Sequence, residues 1–513
     1  MKKLLAICGA LVLIGALWWL FADISGKQAE KAMLSVPRGE PANEHKAEDW
    51  KPYYPKQYET WAQTKQTADY LDLLEARPKI AVIRMGEDDY GAWLGHGRGH
   101  YYQNIDMVFN LISGAMEGEE GGTASRCLVC HSGDTLRLME RDGVDNFYSK
   151  SLAHYGKEAM NPIGCVDCHD PKTGALAMKR EYLNDSLRSA GLPDWEHSSH
   201  QEKRSLLCAQ CHVLSYTKKY EFTDANGSKK IAKGVIFPWS KGLSVEETEA
   251  HYDDPALFGG EREVHFENTF SRAPIIFAEH PDYELFQKGV HAKNGLACAD
   301  CHLPYTSEGG SKFSHHKIGN PLEMMDKVCL TCHAGKKDIL TSIVKDKKAK
   351  FDRLSDVSLD NLAAAHLEAA KAWELNATQE EMKPVLDLLR KAQWRWTYVD
   401  SSFGAYFHAT DESLRIFSDA NDYAMQARVK LAAILASRGV RDYKAPEIKT
   451  LDDVYALVDT TARKKLIKEK CEWIDKTGRK WLAEAKANGT LFKELEGVEK
   501  AFNFYDHLCK KDK

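Results

Sequence analysis

The alternation of apolar and polar positions divides the chain into unequal parts. A continuous apolar run from Leu4 to Phe21 follows Lys2-Lys3 and is closed by Asp23. That run is long for the hydrophobic region of a signal peptide and just long enough to span a bilayer. Leu20-Phe21-Ala22 is a poor small-x-small cleavage site, so residues 1–24 are expected to be an uncleaved N-terminal anchor (residues 4–21 in the membrane) rather than a removed signal peptide. Residues 25–60 are polar, rich in Lys, Glu, Pro and Tyr, and predict a linker that becomes an arm over the folded body. From 61 to 340 helical or strand periodicity is weak, and Gly, Pro and short polar stretches recur. From 341 to 513 the pattern becomes helical. Leu359 to Leu375 is Ala-rich, and Thr378-Gln379-Glu380-Glu381 is a capping-box signature that opens a second helix, with Pro384 awkward in its second turn. A third helix begins after Thr410, with apolar residues at Leu414, Phe417, Met425, Leu431 and Ile434-Leu435 and Gly439 as its C-terminal stop. A charged, amphipathic region follows from about 450. The expected fold class is mainly α, with a helical bundle that doubles as a dimer seam in the C-terminal part.

The weakly patterned part has its own repeat. Cys127-Leu128-Val129-Cys130-His131 is the first of five C-x-x-C-H pentapeptides. The others are Cys165, Cys168, His169; Cys208, Cys211, His212; Cys298, Cys301, His302; and Cys329, Cys332, His333. Two thiols three residues apart reach the two vinyl groups of one haem as thioethers, and the next residue offers an imidazole to the iron. Zinc sites and redox dithiols do not require His after the second Cys five times over. The sequence therefore predicts five covalent haem c groups, with residues 61–340 organised by haem packing rather than by long helices. Covalent haem attachment occurs outside the cytoplasm, which agrees with the N-terminal run and predicts a periplasmic location.

Composition adds exclusions. A formal charge of −5 over 513 residues argues against nucleic acid as a partner and gives no membrane-surface signal. Ten of thirteen cysteines belong to the motifs; Cys8, Cys471 and Cys509 remain. Cys8 lies inside the apolar run, whereas Cys471 and Cys509 are free to pair in an oxidising compartment. Each haem also needs a decision about its second axial ligand. Fifteen histidines lie outside the motifs, and spacing alone does not choose among them. Five distal ligands would make an electron wire, and four would leave one iron open to substrate.

A resemblance helps with that choice. The five motifs in order, Arg98-Gly99-His100, Phe237-Pro238-Trp239, His280-Pro281, Gly289-Val290-His291, His316-Lys317-Ile318-Gly319-Asn320-Pro321 and Ala392-Gln393-Trp394-Arg395-Trp396 resemble the ammonia-forming cytochrome c nitrite reductases over roughly residues 80–440. The resemblance implies His316 as distal ligand of the second haem, His100 of the third, His408 of the fourth and His291 of the fifth. The first haem, at Cys127 to His131, is then left with an open face. In that family the open haem reduces nitrite to ammonium with six electrons and eight protons. A distal Arg, Tyr and His serve the anion beside a calcium site. The family's electron donors are membrane quinol-oxidising multihaem cytochromes, and the enzyme is a homodimer packed through its C-terminal helices.

The departures from the family gather at the substrate site. His131 stands where Lys is usual, as in a minority of the family. The catalytic His matches His280. The Arg position falls on Ile112 and the Tyr position on Ser215, with Tyr216 next to it as the catalytic candidate after a one-residue slip. Arg126 and Arg272 are the cations available to stand in for the missing Arg. The calcium-ligand positions read Leu214, Phe277 and Glu279, and Leu cannot replace a carboxylate, so no family-type calcium site is expected. The expected function is reduction of nitrite, or of a related small species such as hydroxylamine or sulfite. The alternative is a non-catalytic electron-transfer cytochrome in which His96, His154 or another side chain closes the first haem.

Overall fold

The computed structural model describes residues 2–33, 39–66, 73–86, 98–108, 123–308, 310–488 and 509. The apolar N-terminal run is one helix, α1 (Lys2–Met33). Its stretch Ile7–Ser25 has a mean hydropathy of 2.1 and none of it is buried, so by length and composition it can cross a membrane. The polar segment after it returns to the body. Its aromatic residues anchor it: Trp50, Tyr58 and Trp61 are buried, the last two with Tyr101 and Tyr102.

Among the described residues, the elements between 98 and 336 are short, none longer than the ten residues of His200–Ala209, so no long helix organises this part. Helix α2 (Gln103–Val108) precedes the first motif, whose last four residues form α3 (Leu128–His131). The wide gap after the third motif is filled by a hairpin, β1 (Tyr216–Thr223) against β2 (Lys229–Ile236), in register Tyr216↔Ile236 to Thr223↔Lys229. Asp224 closes its turn by accepting the N–H groups of Asn226 and Ser228, both at 2.9 Å. A second, minimal pair joins β3 (Phe266–Glu267) to β4 (Pro274–Ile275). It delivers the chain to Phe277-Ala278-Glu279-His280 and then to α4 (Asp282–Lys288). A third hairpin, β5 (Tyr305–Glu308) with β6 (Ser311–Ser314), precedes His315 and His316.

The C-terminal part is built on α5 (Lys337–Glu374), α6 (Gln379–Asp400), the short α7 (Ala405–His408) and α8 (Thr410–Ser437). Helix α5 starts more than twenty residues before the Ala-rich stretch that announced it. Its first half is charged and mostly exposed, so no apolar stripe marks it in the sequence. Thr378 caps α6 as expected, with Thr378 Oγ1 accepting from Glu381 N at 3.3 Å and Glu381 Oε2 accepting from Thr378 N at 2.7 Å. Pro384 is tolerated because it is exposed, and water can reach the carbonyl its missing N–H leaves unpaired. Alanines 363, 365, 369 and 372 on α5 and 420, 424 and 427 on α8 are buried, which lets the backbones approach closely. Ser358 Oγ of α5 donates to the Phe417 carbonyl of α8 at 3.0 Å.

The last described helices turn back. In α9 (Thr461–Trp473) and the helical residues 474–487 that continue it, Trp473, Ile474 and Ala485 are buried in one cluster with Leu128, Val129, Phe147 and Tyr155 around the first motif. Cys471 and Cys509 form a disulfide, with Cα atoms 5.7 Å apart.

Candidate cofactor-binding and active site

Each motif folds as a short helical turn, in which residues i and i+3 share a face and i+4 lies beside them. The His N–H donates to the carbonyl of the first Cys at 2.9 Å in the second motif, 2.9 Å in the third and 2.8 Å in the fifth. The ten motif thiols are free of disulfides. The imidazoles are oriented by their Nδ1 atoms. His169 Nδ1 lies 2.9 Å from the Gly174 carbonyl, His302 Nδ1 3.1 Å from Gly319 O, and His316 Nδ1 2.8 Å from Ser314 O. That hydrogen bond fixes the tautomer and turns Nε2 to the metal side.

The rings pair across the motifs. His169 faces His316 with ring centroids 6.1 Å apart, and His302 faces His408 at 6.2 Å. Two imidazoles bound through nitrogen on opposite sides of one metal, each at about 2.0–2.1 Å, place their centroids about 6.3 Å apart. The spacing therefore fits a bis-imidazole haem. His100 is within electrostatic reach of His212, and His291 of His333; the His291 ring also stacks on Phe407 at 5.4 Å. Burial above all pushes His100, His302 and His316 down to about 4, leaving the neutral imidazoles that metal binding requires. His212 differs. Burial lowers it, but the hydrogen bond and charge of Asp282, with Oδ2 3.1 Å from Nδ1, carry it up to about 9.

The motifs also touch in a definite order. The sulfurs of Cys130 and Cys211 lie side by side, as do those of Cys208 and Cys298. Cys168 is within electrostatic reach of Cys211, and Cys301 of Cys329. The third motif thus adjoins the first, second and fourth, and the fourth adjoins the fifth. Arg180, buried with Asp167, ties two of them together: Nη2 donates to Asp167 Oδ1 at 2.7 Å and Nε to the Val129 carbonyl at 2.7 Å.

At the first motif, His131 Nδ1 is 2.8 Å from Gln103 Nε2 of α2. The charges of His280 and, more weakly, His212 reach it, and the His280 ring also lies 6.5 Å from the His212 ring. His280 adopts φ +52°, left-handed backbone that costs a non-glycine residue on the order of 1–3 kcal/mol. The turn is closed by Asp282 N–H donating to the His280 carbonyl at 2.6 Å. Beside it, burial raises the Glu279 carboxyl, but His280, Arg126, Arg84 and His131 together hold it below its usual value. His265 joins this group: its Nδ1 accepts the Phe277 N–H at 3.0 Å, and its ring meets Tyr252 at 5.2 Å.

The other expected residues are placed as follows. Tyr216 stands at the start of β1 with its hydroxyl 3.0 Å from His251 Nε2 and its ring against Tyr252 and Phe258. Arg272 stacks on Trp373 at 4.8 Å, away from this group, while Arg126 is within it. Leu214 is buried and its N–H donates to Glu284 Oε1 at 2.9 Å. The Arg84 guanidinium covers the Phe277 ring at 3.9 Å. Ile112 and His96 lie outside the described residues. His154 stacks edge-on with Tyr155 at 5.0 Å, with its N–H on the Ser151 cap. Arg84, His265 and Asp282 were not singled out from the sequence. Asp282 alone had a signal there, as a carboxylate two residues after His280-Pro281.

Free paired thiols, helical turns and matched imidazoles define a multihaem c-type cytochrome of mainly α fold. Residues 46–494 match the cytochrome c552 family, and the chain belongs to that family. A cytochrome c-552 of Desulfotalea psychrophila is 40% identical over 497 residues, covering 96% of each chain. One from Aliarcobacter butzleri is 41% identical over 497 residues, covering 96% of this chain and 97% of its own. Among solved structures, the cytochrome c nitrite reductase of Desulfovibrio desulfuricans superposes with a TM-score of 0.67 at 26% identity. The match covers 76% of this chain and 86% of that one, whose catalytic subunit is described with two calcium sites.

Proposed function

We propose that this protein is a periplasmic five-haem cytochrome that reduces nitrite to ammonium, or a related small species such as hydroxylamine or sulfite, at its first haem. The observation that carries the reading is the allocation of imidazoles. His316 and His408 each face one motif histidine and His100 and His291 lie within electrostatic reach of His212 and His333, whereas His280, on a strained turn beside His212, is the imidazole outside the motifs whose charge reaches His131. Strain held in place beside a candidate metal centre is characteristic of working side chains.

The residues suit such a reduction. Bound haem supplies an iron able to hold a small nitrogen or sulfur ligand and to accept electrons one at a time. Gln103, bonded to His131 Nδ1, fixes the ring that offers Nε2 to that iron. His280 is the proton donor, and Glu279 and the cations around it fix its surroundings. Arg126 is the nearest available substitute for the Arg position occupied by Ile112, a cation that attracts an anionic substrate. The Tyr216 hydroxyl is already engaged by His251, so the proton role falls on His280. The donor set of Leu214, Phe277 and Glu279 offers one carboxylate next to two guanidinium groups, which suits no calcium ion. The contact order of the motifs gives electrons a path from the fifth through the fourth and third to the first. A membrane quinol-oxidising cytochrome is the expected donor, α1 the membrane anchor and the C-terminal helices the homodimer contact.

The engagement of Tyr216 by His251 favours a second reading, an electron relay with the first haem closed. Intact mass should exceed the protein by five haems. A high-spin EPR signal that shifts with nitrite or cyanide supports the enzyme, and five low-spin haems blind to both ligands support the relay. His280→Asn should abolish dye-coupled nitrite and hydroxylamine reduction without changing haem content. An active variant ends the enzyme reading in this form.

A further inference from the structure

Three successive residues at the start of α4 grip the third motif. Asp282 Oδ2 lies 3.1 Å from His212 Nδ1, Tyr283 N–H donates to the His212 carbonyl at 3.1 Å, and Glu284 Oε1 accepts Leu214 N–H at 2.9 Å. The other oxygen of Asp282 accepts a short hydrogen bond from the Ser402 hydroxyl, which is itself buried. Three of the other motif histidines give Nδ1 to neutral groups: Gly174 O for His169, Gly319 O for His302 and Gln103 for His131. His212 gives its Nδ1 to a carboxylate.

The difference has an electronic consequence. A carboxylate accepting the Nδ1–H draws that proton away, makes the imidazole more basic at Nε2, and places a negative charge next to the ligand. Both effects stabilise the oxidised iron, since second-sphere hydrogen bonding and nearby charge are levers on haem potential. The third motif adjoins the first, second and fourth, so its haem is the junction of the set. Asp282 is also two residues from His280 and holds that turn by donating its N–H to the His280 carbonyl at 2.6 Å. One residue therefore touches both the ligand of the junction haem and the turn that carries the candidate proton donor.

We propose that Asp282 is a positioning residue that sets the third haem as the lowest-potential member of the group and so directs electrons from it into the first haem. The inference rests on the five-haem reading above but not on the identity of the substrate. Asp282→Asn retains a hydrogen-bond acceptor for His212 and removes the charge. In the intact holoprotein, EPR-monitored redox titration should show the lowest-potential low-spin haem rising by a tenfold change in its equilibrium, about 59 mV for one electron. The fourth haem, whose ligands His302 and His408 also feel the Asp282 charge, should rise by less, the remaining low-spin haems should stay in place, and the third haem should alter its g values. Ser402→Ala leaves the full carboxylate charge to His212, and the same haem should move downwards. This second variant keeps the test open should Asp282→Asn load haem poorly. Unchanged potentials in both variants, or equal shifts in all haems, overturn the proposal. Shifted potentials in a protein that reduces none of the candidate substrates overturn the proposed function and leave this inference standing.

Discussion

His302 and His408 face each other with ring centroids 6.2 Å apart, one in the fourth motif and the other in the single helical turn between α6 and α8. The contact depends on glycine. A Cβ on Gly404 would strike the His408 ring at Cε1, with Nδ1 at 2.7 Å and Nε2 at 2.9 Å.

Gly404→Ala should therefore push His408 off its partner while the chain still folds, since φ at this position is an ordinary −92°. One low-spin haem should become high-spin and bind cyanide or carbon monoxide, and His408→Ala should give the same spectrum. EPR and optical titration of the purified holoprotein check this. A Gly404→Ala protein with all low-spin signals intact shows that His408 is not an axial ligand.

Arg180 predicts stability rather than spectrum. Its side chain and that of Asp167 are 2% and 3% exposed, and it also holds the Val129 carbonyl inside the first motif. Removing one partner of a buried pair leaves the other charge uncompensated, at a cost of about 3–5 kcal/mol. Arg180→Met should lower the denaturant midpoint of the holoprotein accordingly. A double change with Asp167→Leu should recover much of the loss, because no charge then remains buried.

These cases show which parts of the molecule were legible from sequence. The motifs, the mainly α fold, the Thr378 cap and the Gly439 stop, at φ +83°, rest on local rules of spacing and propensity. Helix α5 was seen only in its Ala-rich half, because the charged first half buries too little to leave a periodic trace. The groups around His280 were the least legible. Arg84, His265 and Asp282 come from separate stretches of chain, and no local pattern announces a contact made by tertiary folding.

The C-terminal return offers a third test. Cys471 and Cys509 close a loop across a sequence separation of 38. A loop of that size predicts a loss of about 4 kcal/mol on opening, from the chain entropy regained by the unfolded state. Cys471→Ser should loosen α9 and, with it, Trp473 in the cluster beside the first motif. Hydrogen exchange should rise in α9 and α3 and stay unchanged in α5. Equal exchange throughout would show that the return helix is not what protects the first motif.

Glu284 gives the pH dependence its sign. It is fully buried; Oε1 accepts from Leu214 N–H at 2.9 Å and from Trp239 Nε1–H at 2.8 Å, while Oε2 has no hydrogen-bond partner. Burial pushes its carboxyl up to about 8; the donors pull the other way and the Asp282 charge adds to the rise. The folded value lies above the ordinary 4.5, so the native protein prefers the neutral form. The stability this contributes is full below about pH 4.5 and is lost as pH rises towards 8, where folding must accept a buried charge. At about 1.36 kcal/mol for each unit of difference, the loss is on the order of a few kcal/mol. Glu284→Gln keeps an acceptor for both N–H groups and never ionises. The variant should therefore match the native protein near pH 5 and exceed it in denaturant midpoint near pH 8.5. If the two proteins show parallel pH profiles, Glu284 ionises normally and the carboxyl is not held neutral by its burial.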